Sequence, residues 1–173
     1  MKKLAVLLAV LLCAAPAFAG DKGIIKLSLW GDAAIAMPNN INDVRGVSFG
    51  IGSDVDSLYG YQWDLIYNNA KEVRGIKVAW FYETADVVWG EEGAIVSVNN
   101  RELKGVQTGL VNISHGEVVG AQLGIYNQVE DLHGLQLGIV NNARHISKGL
   151  QVGIVNIAKN GWLPVMVLVN GRF

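Results

Sequence analysis

Cysteine is nearly absent: Cys13 is the single one in 173 residues, and it falls inside an apolar N-terminal run. Lys2 and Lys3, then Leu4 to Ala15, then Ala17-Phe18-Ala19 follow the positive, apolar and small-residue order of a secretory leader. Twelve or so apolar residues are too few to span a bilayer, which takes about 20. Leu12, which precedes Cys13, is not the small residue that a lipid-modified cysteine usually follows. Cleavage after Ala19 leaves a chain that can hold no disulfide, so its rigidity has to come from burial and hydrogen bonding. Charge of one sign is also lacking: 14 basic residues stand against 15 acidic ones, a formal net charge of −1. Loss of Lys2 and Lys3 with the leader lowers it by two more, and such near-balance argues against a nucleic-acid partner. Proline is scarce, at three residues, and it punctuates. Pro38, followed by Asn39 and Asn40, stops a first strand over Ile24–Ala36, and Pro164 introduces the last one. With 51% hydrophobic residues the chain is not a disordered one, and its length suits one domain.

What is present is repetition. Gly-Val-Gln-Thr-Gly-Leu-Val-Asn (105–112), Gly-Ala-Gln-Leu-Gly-Ile-Tyr-Asn (120–127), Gly-Leu-Gln-Leu-Gly-Ile-Val-Asn (134–141) and Gly-Leu-Gln-Val-Gly-Ile-Val-Asn (149–156) follow one another at 15, 14 and 15 residues. The rhythm extends backward through Gly46, Gly60, Gly75 and Gly90, which makes eight units, the first four degenerate. A fixed short period is the mark of a repeat architecture.

With glycine as position one, positions two, four and six are apolar, as in Leu135, Leu137 and Ile139. Position three is Gln62, Gln107, Gln122, Gln136 and Gln151, and position five is small. Period-two alternation predicts a strand, and the apolar set predicts which side is buried. Two glycines in eight residues weigh against a helix, at about 1 kcal/mol each.

Two all-β architectures accommodate one short strand per unit. The favoured one is a repeat β-solenoid of about eight 14–15-residue coils with N- and C-terminal caps, identical strands stacked in parallel and positions two, four and six inside. In it Asn112, Asn127, Asn141 and Asn156 line up about 4.8 Å apart as a structural amide ladder. A weaker second apolar point (Leu58, Val73, Val88, Leu103, Val118, Leu132, Ile146) suits a second, shorter wall. Gln and small residues then form a flat outer wall, and Leu137→Asp is expected to unfold the chain by burying a charge. The alternative is a ten-strand antiparallel outer-membrane β-barrel. Its apolar band of three side chains, about 13 Å at 3.3 Å per residue, falls short of the 25 Å or so that lipid requires. Phe173, on one face with Val165, Val167 and Val169, favours the barrel, and a glycine at position five has no evident purpose on a solvated solenoid wall.

Units of this form, a leader, and a terminal Trp162-Leu163-Pro164 followed by Asn170 and Phe173 resemble a family of uncharacterised bacterial exported surface-repeat proteins with tandem repeats of about 15 residues. The resemblance covers about Val44 to Phe173 and implies export and surface or outer-membrane association; it brings no catalytic residues.

Candidate chemistry is thin. Gly46-Val47-Ser48-Phe49-Gly50 matches a nucleophile elbow, but both glycines already belong to the repeat. His115, His133 and His145 occupy three different repeat positions, without the carboxylate spacing of a metal site. Asp54/Asp56, Glu91/Glu92 and Glu130/Asp131 read as solvated charge, and Tyr61, Trp63, Tyr67, Trp80, Tyr82 and Trp89 as a thicker core end. No catalytic, cofactor-binding or metal residue is assigned and no cofactor is implied. The organisation expected is a signal peptide over 1–19, an N-terminal cap strand over 20–45, the repeat array over 46–160 and a C-terminal closing strand over 161–173. The function expected is a non-enzymatic structural or binding scaffold, exported through the Sec-type signal to the periplasm, outer membrane or cell surface. Its partner would be a cell-envelope polymer or a protein, with membrane association if the chain were a barrel pore or anchor. A polysaccharide-acting β-helical enzyme is the third reading.

Overall fold

A computed structural model describes residues 23–30, 33–37 and 42–173; the leader expected over 1–19 lies outside them. Among the described residues, nine strands form one sheet in the order β2-β1-β3-β4-β5-β6-β7-β8-β9. They are β1 (Gly23–Trp30), β2 (Ala33–Met37), β3 (Asp43–Ala79), β4 (Tyr82–Gly93), β5 (Val96–Thr108), β6 (Val111–Leu123), β7 (Tyr126–Leu137), β8 (Val140–Ala158) and β9 (Val165–Arg172). Pairing is parallel and in register with the repeat. Gly75 faces Gly90, Gly90 faces Gly105, Gly105 faces Gly120, Gly120 faces Gly134 and Gly134 faces Gly149. The chain is a β-solenoid of stacked coils of about 15 residues. Neighbouring copies running the same way overturn the antiparallel barrel, and its pore or anchor role goes with it. Only the ends reverse: β2 is antiparallel on β1, and β9 is antiparallel on β8.

The position-one glycines show why the period is kept. From Gly46 to Gly134 they hold φ between +143° and +150°, a region that side chains rarely adopt. A Cβ on Gly46 would overlap the carbonyl of Ile24, and from Gly60 onward that of the glycine one coil earlier, as at Gly105 against Gly90 and Gly120 against Gly105. Glycine therefore sets how closely successive coils approach. Any side chain in this column would push two coils apart.

The buried face is the opposite of the one expected. Gln107, Gln122, Gln136 and Gln151 are fully buried, as are Asn112, Asn127, Asn141 and Asn156. Leu137 and Ile139 are each 47% exposed. The outer wall of Gln and small residues is thus an inner wall, and positions two, four and six look outward. The expected Leu137→Asp unfolding falls with that assignment. The physical reason lies at position five, where the strand breaks. Residues 109–110, 124–125 and 138–139 form bends, which turn the chain through a corner between two inward positions, three and eight. Five residues apart, those positions could not share a face in one continuous strand. The apolar core is the column first read as a minor wall: Leu58, Val73, Val88, Leu103, Val118, Leu132 and Ile146 are all fully buried.

Gly120→Ala is expected to destabilise by about 3 kcal/mol or more, since it adds positive-φ strain of 1–3 kcal/mol to a backbone overlap. Leu137→Asp, whose side chain stands in solvent, should keep a wild-type far-UV circular dichroism spectrum. Thermal melts of both variants check the pair, and an unfolded Leu137→Asp chain would reinstate the inward reading.

Candidate functional site

The coil interior is built from two amide ladders beside one aliphatic column. Asn112 Nδ2 donates to Asn127 Oδ1, Asn127 to Asn141 and Asn141 to Asn156, each at 2.8 Å. The same amide groups donate to the carbonyls of Leu123, Leu137 and Val152 at 2.9–3.0 Å, tying each corner to the next. Gln122 Nε2 donates to Gln107 Oε1, Gln136 to Gln122 and Gln151 to Gln136, each at 2.7 Å. The small residue at position five now has a cause. A Cβ on Gly124 would press on the amides of Asn112 and Asn127, and one on Gly138 on those of Asn127 and Asn141. Buried polar groups are tolerated only when hydrogen-bonded, and an in-register stack of identical amides supplies the partners.

Nearer the N-terminus the same two columns carry charge. Lys77 stands in the glutamine column, facing Glu92 on the next coil, and Glu83 stands in the asparagine column, facing Ser97. All three charged residues are buried. Lys77 Nζ donates to the Thr84 carbonyl at 2.6 Å and Ser97 Oγ to Glu83 at 2.6 Å. Asp64 accepts from Ser53 at 2.8 Å and from Gln62 at 2.9 Å. Burial lowers the Lys77 ammonium from its ordinary value and raises the Glu83 and Asp64 carboxyls, partly offset by the opposite charge nearby for Lys77 and Glu83 and chiefly by hydrogen bonds from Ser53, Gln62 and Asn68 for Asp64. Burial, with the negative charge of Glu83 second, pushes Glu92 up to about 8 against the pull of Lys77. Glu92 is therefore a neutral acid at neutral pH, and reading it as solvated charge is corrected. Its neighbour Glu91 does face outward.

The outside is divided lengthwise. One flank carries ion pairs between successive coils: Lys71–Asp56 at 2.6 Å, Arg101–Asp86 at 3.6 Å and Arg144–Glu130 at 2.6 Å. His133 lies 3.3 Å from Glu117, and His145 Nε2 lies 3.1 Å from the Asn160 amide. No group of three His, Cys, Asp or Glu side chains is placed to hold a metal among the described residues. A groove of about 330 Å³ on this flank is lined by His115, Gln128, Glu130, Arg144 and Lys159 among others, but its arginine and glutamate are already paired. Ser48 is buried within strand β3, not displayed on a strand-to-helix turn.

The other flank is apolar and open. At the corner column Leu110 is 50% exposed, Ile125 48%, Ile139 47% and Ile154 60%. Among the outward side chains at positions two, four, six and seven from Tyr61 to Val155, Glu91 is the single charge. None of the six aromatics lies in the core, which corrects that assignment: Trp80 and Tyr82 are exposed on this surface, with Phe81 between them, and Tyr61, Trp63 and Tyr67 are half-buried. Trp89 sits toward the charged flank, with the Arg74 guanidinium 4.1 Å from its ring centroid. Comparison with protein-family models, curated proteins and solved structures finds no match.

Asn127→Ala removes one acceptor and two donations from the centre of the ladder. It should cost about 3 kcal/mol at 1–3 kcal/mol per group left unpaired, a fall of roughly 6–12 °C in Tm; an unchanged Tm would mean the ladder is incidental. For Glu92 the sign follows from a folded value of about 8 above the ordinary 4.5. The folded chain holds a proton that the unfolded chain releases, so this contribution is full below about 4.5 and is lost as pH rises to about 8. Relative to Glu92→Gln, wild type should therefore lose stability across that window in urea denaturation. Parallel pH curves would show that Glu92 is already ionised.

Proposed function

We propose that the chain is a non-enzymatic scaffold of the bacterial cell envelope, exported by its N-terminal leader, whose working part is the apolar flank of the solenoid. The observation that carries this reading is the column Leu110, Ile125, Ile139 and Ile154, about half exposed on four successive coils. Each such side chain forgoes about half of the 1.5–3 kcal/mol that full burial would contribute. Exposed apolar patches on this scale mark interaction surfaces. The repeat extends the patch along the rod, so it suits docking over a length and not the gripping of one small molecule. The acidic pairs do not converge on a common groove: Asp56 is held by Lys71 and Glu130 by Arg144, while Glu92 is inside. That arrangement weighs against the polysaccharide-acting enzyme. Likeness of the Gly134–Asn141 unit to exported surface-repeat proteins supports the same destination.

Expressed with its leader in a bacterium with an outer membrane, the chain should be recovered outside the cytoplasm with Gly20 as its first residue by mass spectrometry. The purified chain from Gly20 should co-sediment with isolated cell envelopes, and Ile125→Lys with Ile154→Lys should leave it in the supernatant. An unprocessed cytoplasmic chain, or sedimentation indifferent to both substitutions, would overturn the reading.

A further inference from the structure

We infer that the occupant of the apolar flank is a second copy of this chain, the two solenoids packing side by side in a twofold dimer. The inference rests on the reading of that flank as the working surface and names what covers it.

Charge decides first. Outward positions two, four, six and seven of the four regular coils, from Val106 to Val155, carry no charged side chain. Two such faces meet without like-charge repulsion and without burying an unpaired ion. An anionic lipid surface is the poorer match, because the basic column that borders this flank is largely neutralised: Arg74 and Lys104 are held by Glu72 and Glu102 and His133 lies beside Glu117, which leaves Arg45 and Lys148 as its cations without an ion pair among the described residues. The net charge of −1, lowered by two more when Lys2 and Lys3 leave with the leader, supplies no attraction to such a surface either.

Shape decides second. Positions two and four form a wall, and the position-six side chains stand as a ridge at the adjoining corner. In a twofold pair the ridge of each copy (Leu110, Ile125, Ile139, Ile154) lies along the wall of the other (Leu135 and Leu137 among its members). Contact i to j is then repeated as j to i, as an isologous interface requires. Both surfaces repeat at the spacing of stacked strands, about 4.8 Å, so side chains of one copy fall between those of the other at every coil. A partner with a different repeat would lose step within a few coils.

Area decides third. A column of about six coils is about 29 Å long and three residues are about 10–13 Å wide, which gives roughly 300–380 Å² per copy. Doubling gives about 600–750 Å², the size of a weak, reversible pairing. The exposed aromatics Trp80 and Phe81 lie on the same flank and extend it.

The test uses the chain from Gly20, purified without detergent. Sedimentation equilibrium should give a dimer, and Ile139→Lys should shift it to monomer with an unchanged circular dichroism spectrum. Arg144→Glu, on the charged flank, should remain dimeric. If Ile139→Lys does not fold, Leu137→Cys carrying a nitroxide label serves instead, because the chain from Gly20 has no other cysteine. Its labels should then show dipolar coupling between copies. A wild-type monomer throughout, a dimer indifferent to Ile139→Lys, or an absence of coupling would each overturn the inference. A monomer that co-sediments with phosphatidylcholine vesicles would assign the flank to lipid and leave the docking reading standing. A monomer that binds neither vesicles nor envelopes would remove both.

Discussion

The structure depends on identical side-chain amides meeting one another at the strand spacing. An amide inside a narrow coil has no water to turn to, and leaving its donors or acceptor unpaired costs about 1–3 kcal/mol for each group. A copy of the same amide one coil away, in the same orientation, takes up the acceptor and one donor at 2.7–2.8 Å, and main-chain carbonyls and Ser114 take up further donors. This single requirement fixes the parallel sense of the strands and the register of one coil on the next. It also fixes the smallness of Gly124 and Gly138, whose absent side chains leave room for the asparagines beneath them. Glycine at position one serves the same end by allowing the backbones to close to that distance.

Much of this was legible in the residues. The period, the parallel stacking and the alignment of Asn112 with Asn127 and Asn141 follow from self-similarity, because a phrase repeated at 15 residues packs most simply on itself. The inward face was not legible by hydrophobicity. Alternation separates two faces, and the rule that greasy side chains go inside then chose Leu135, Leu137 and Ile139 over Gln136. Two signals pointed the other way. A solvated wall has no reason to hold glutamine at position three in five units, whereas a ladder needs the same amide each time. Glycine at position five had no role on an outer wall, and it has one against a buried asparagine. The aliphatic column from Leu58 to Ile146 was visible but ranked second, and Lys77 and Glu92 were hidden because nothing local distinguishes a buried charge from a solvated one.

The charged trio shows how far the ladder columns can be modified. Lys77, Glu83 and Glu92 stand where amides stand elsewhere, and the column survives because burial holds Glu92 as a neutral acid and sets opposite charges near one another. Outside, the molecule sorts its residues by flank, with coil-to-coil ion pairs along one side and aliphatic side chains along the other. A coiled repeat makes this sorting automatic, since each position of the unit draws a line down the whole rod.

The two ladders also point in opposite senses. Gln122, Gln136 and Gln151 donate to the coil before them, and Asn112, Asn127 and Asn141 to the coil after them. Their dipoles, aligned head to tail within a column, therefore oppose one another between columns. A stack built this way accumulates no axial field from its amides as it grows, so a further unit meets the same electrical surroundings as the one it follows. Adding a unit therefore lengthens both columns and leaves the same two unpaired ends, Asn112 Oδ1 in one ladder and Gln151 Oε1 in the other.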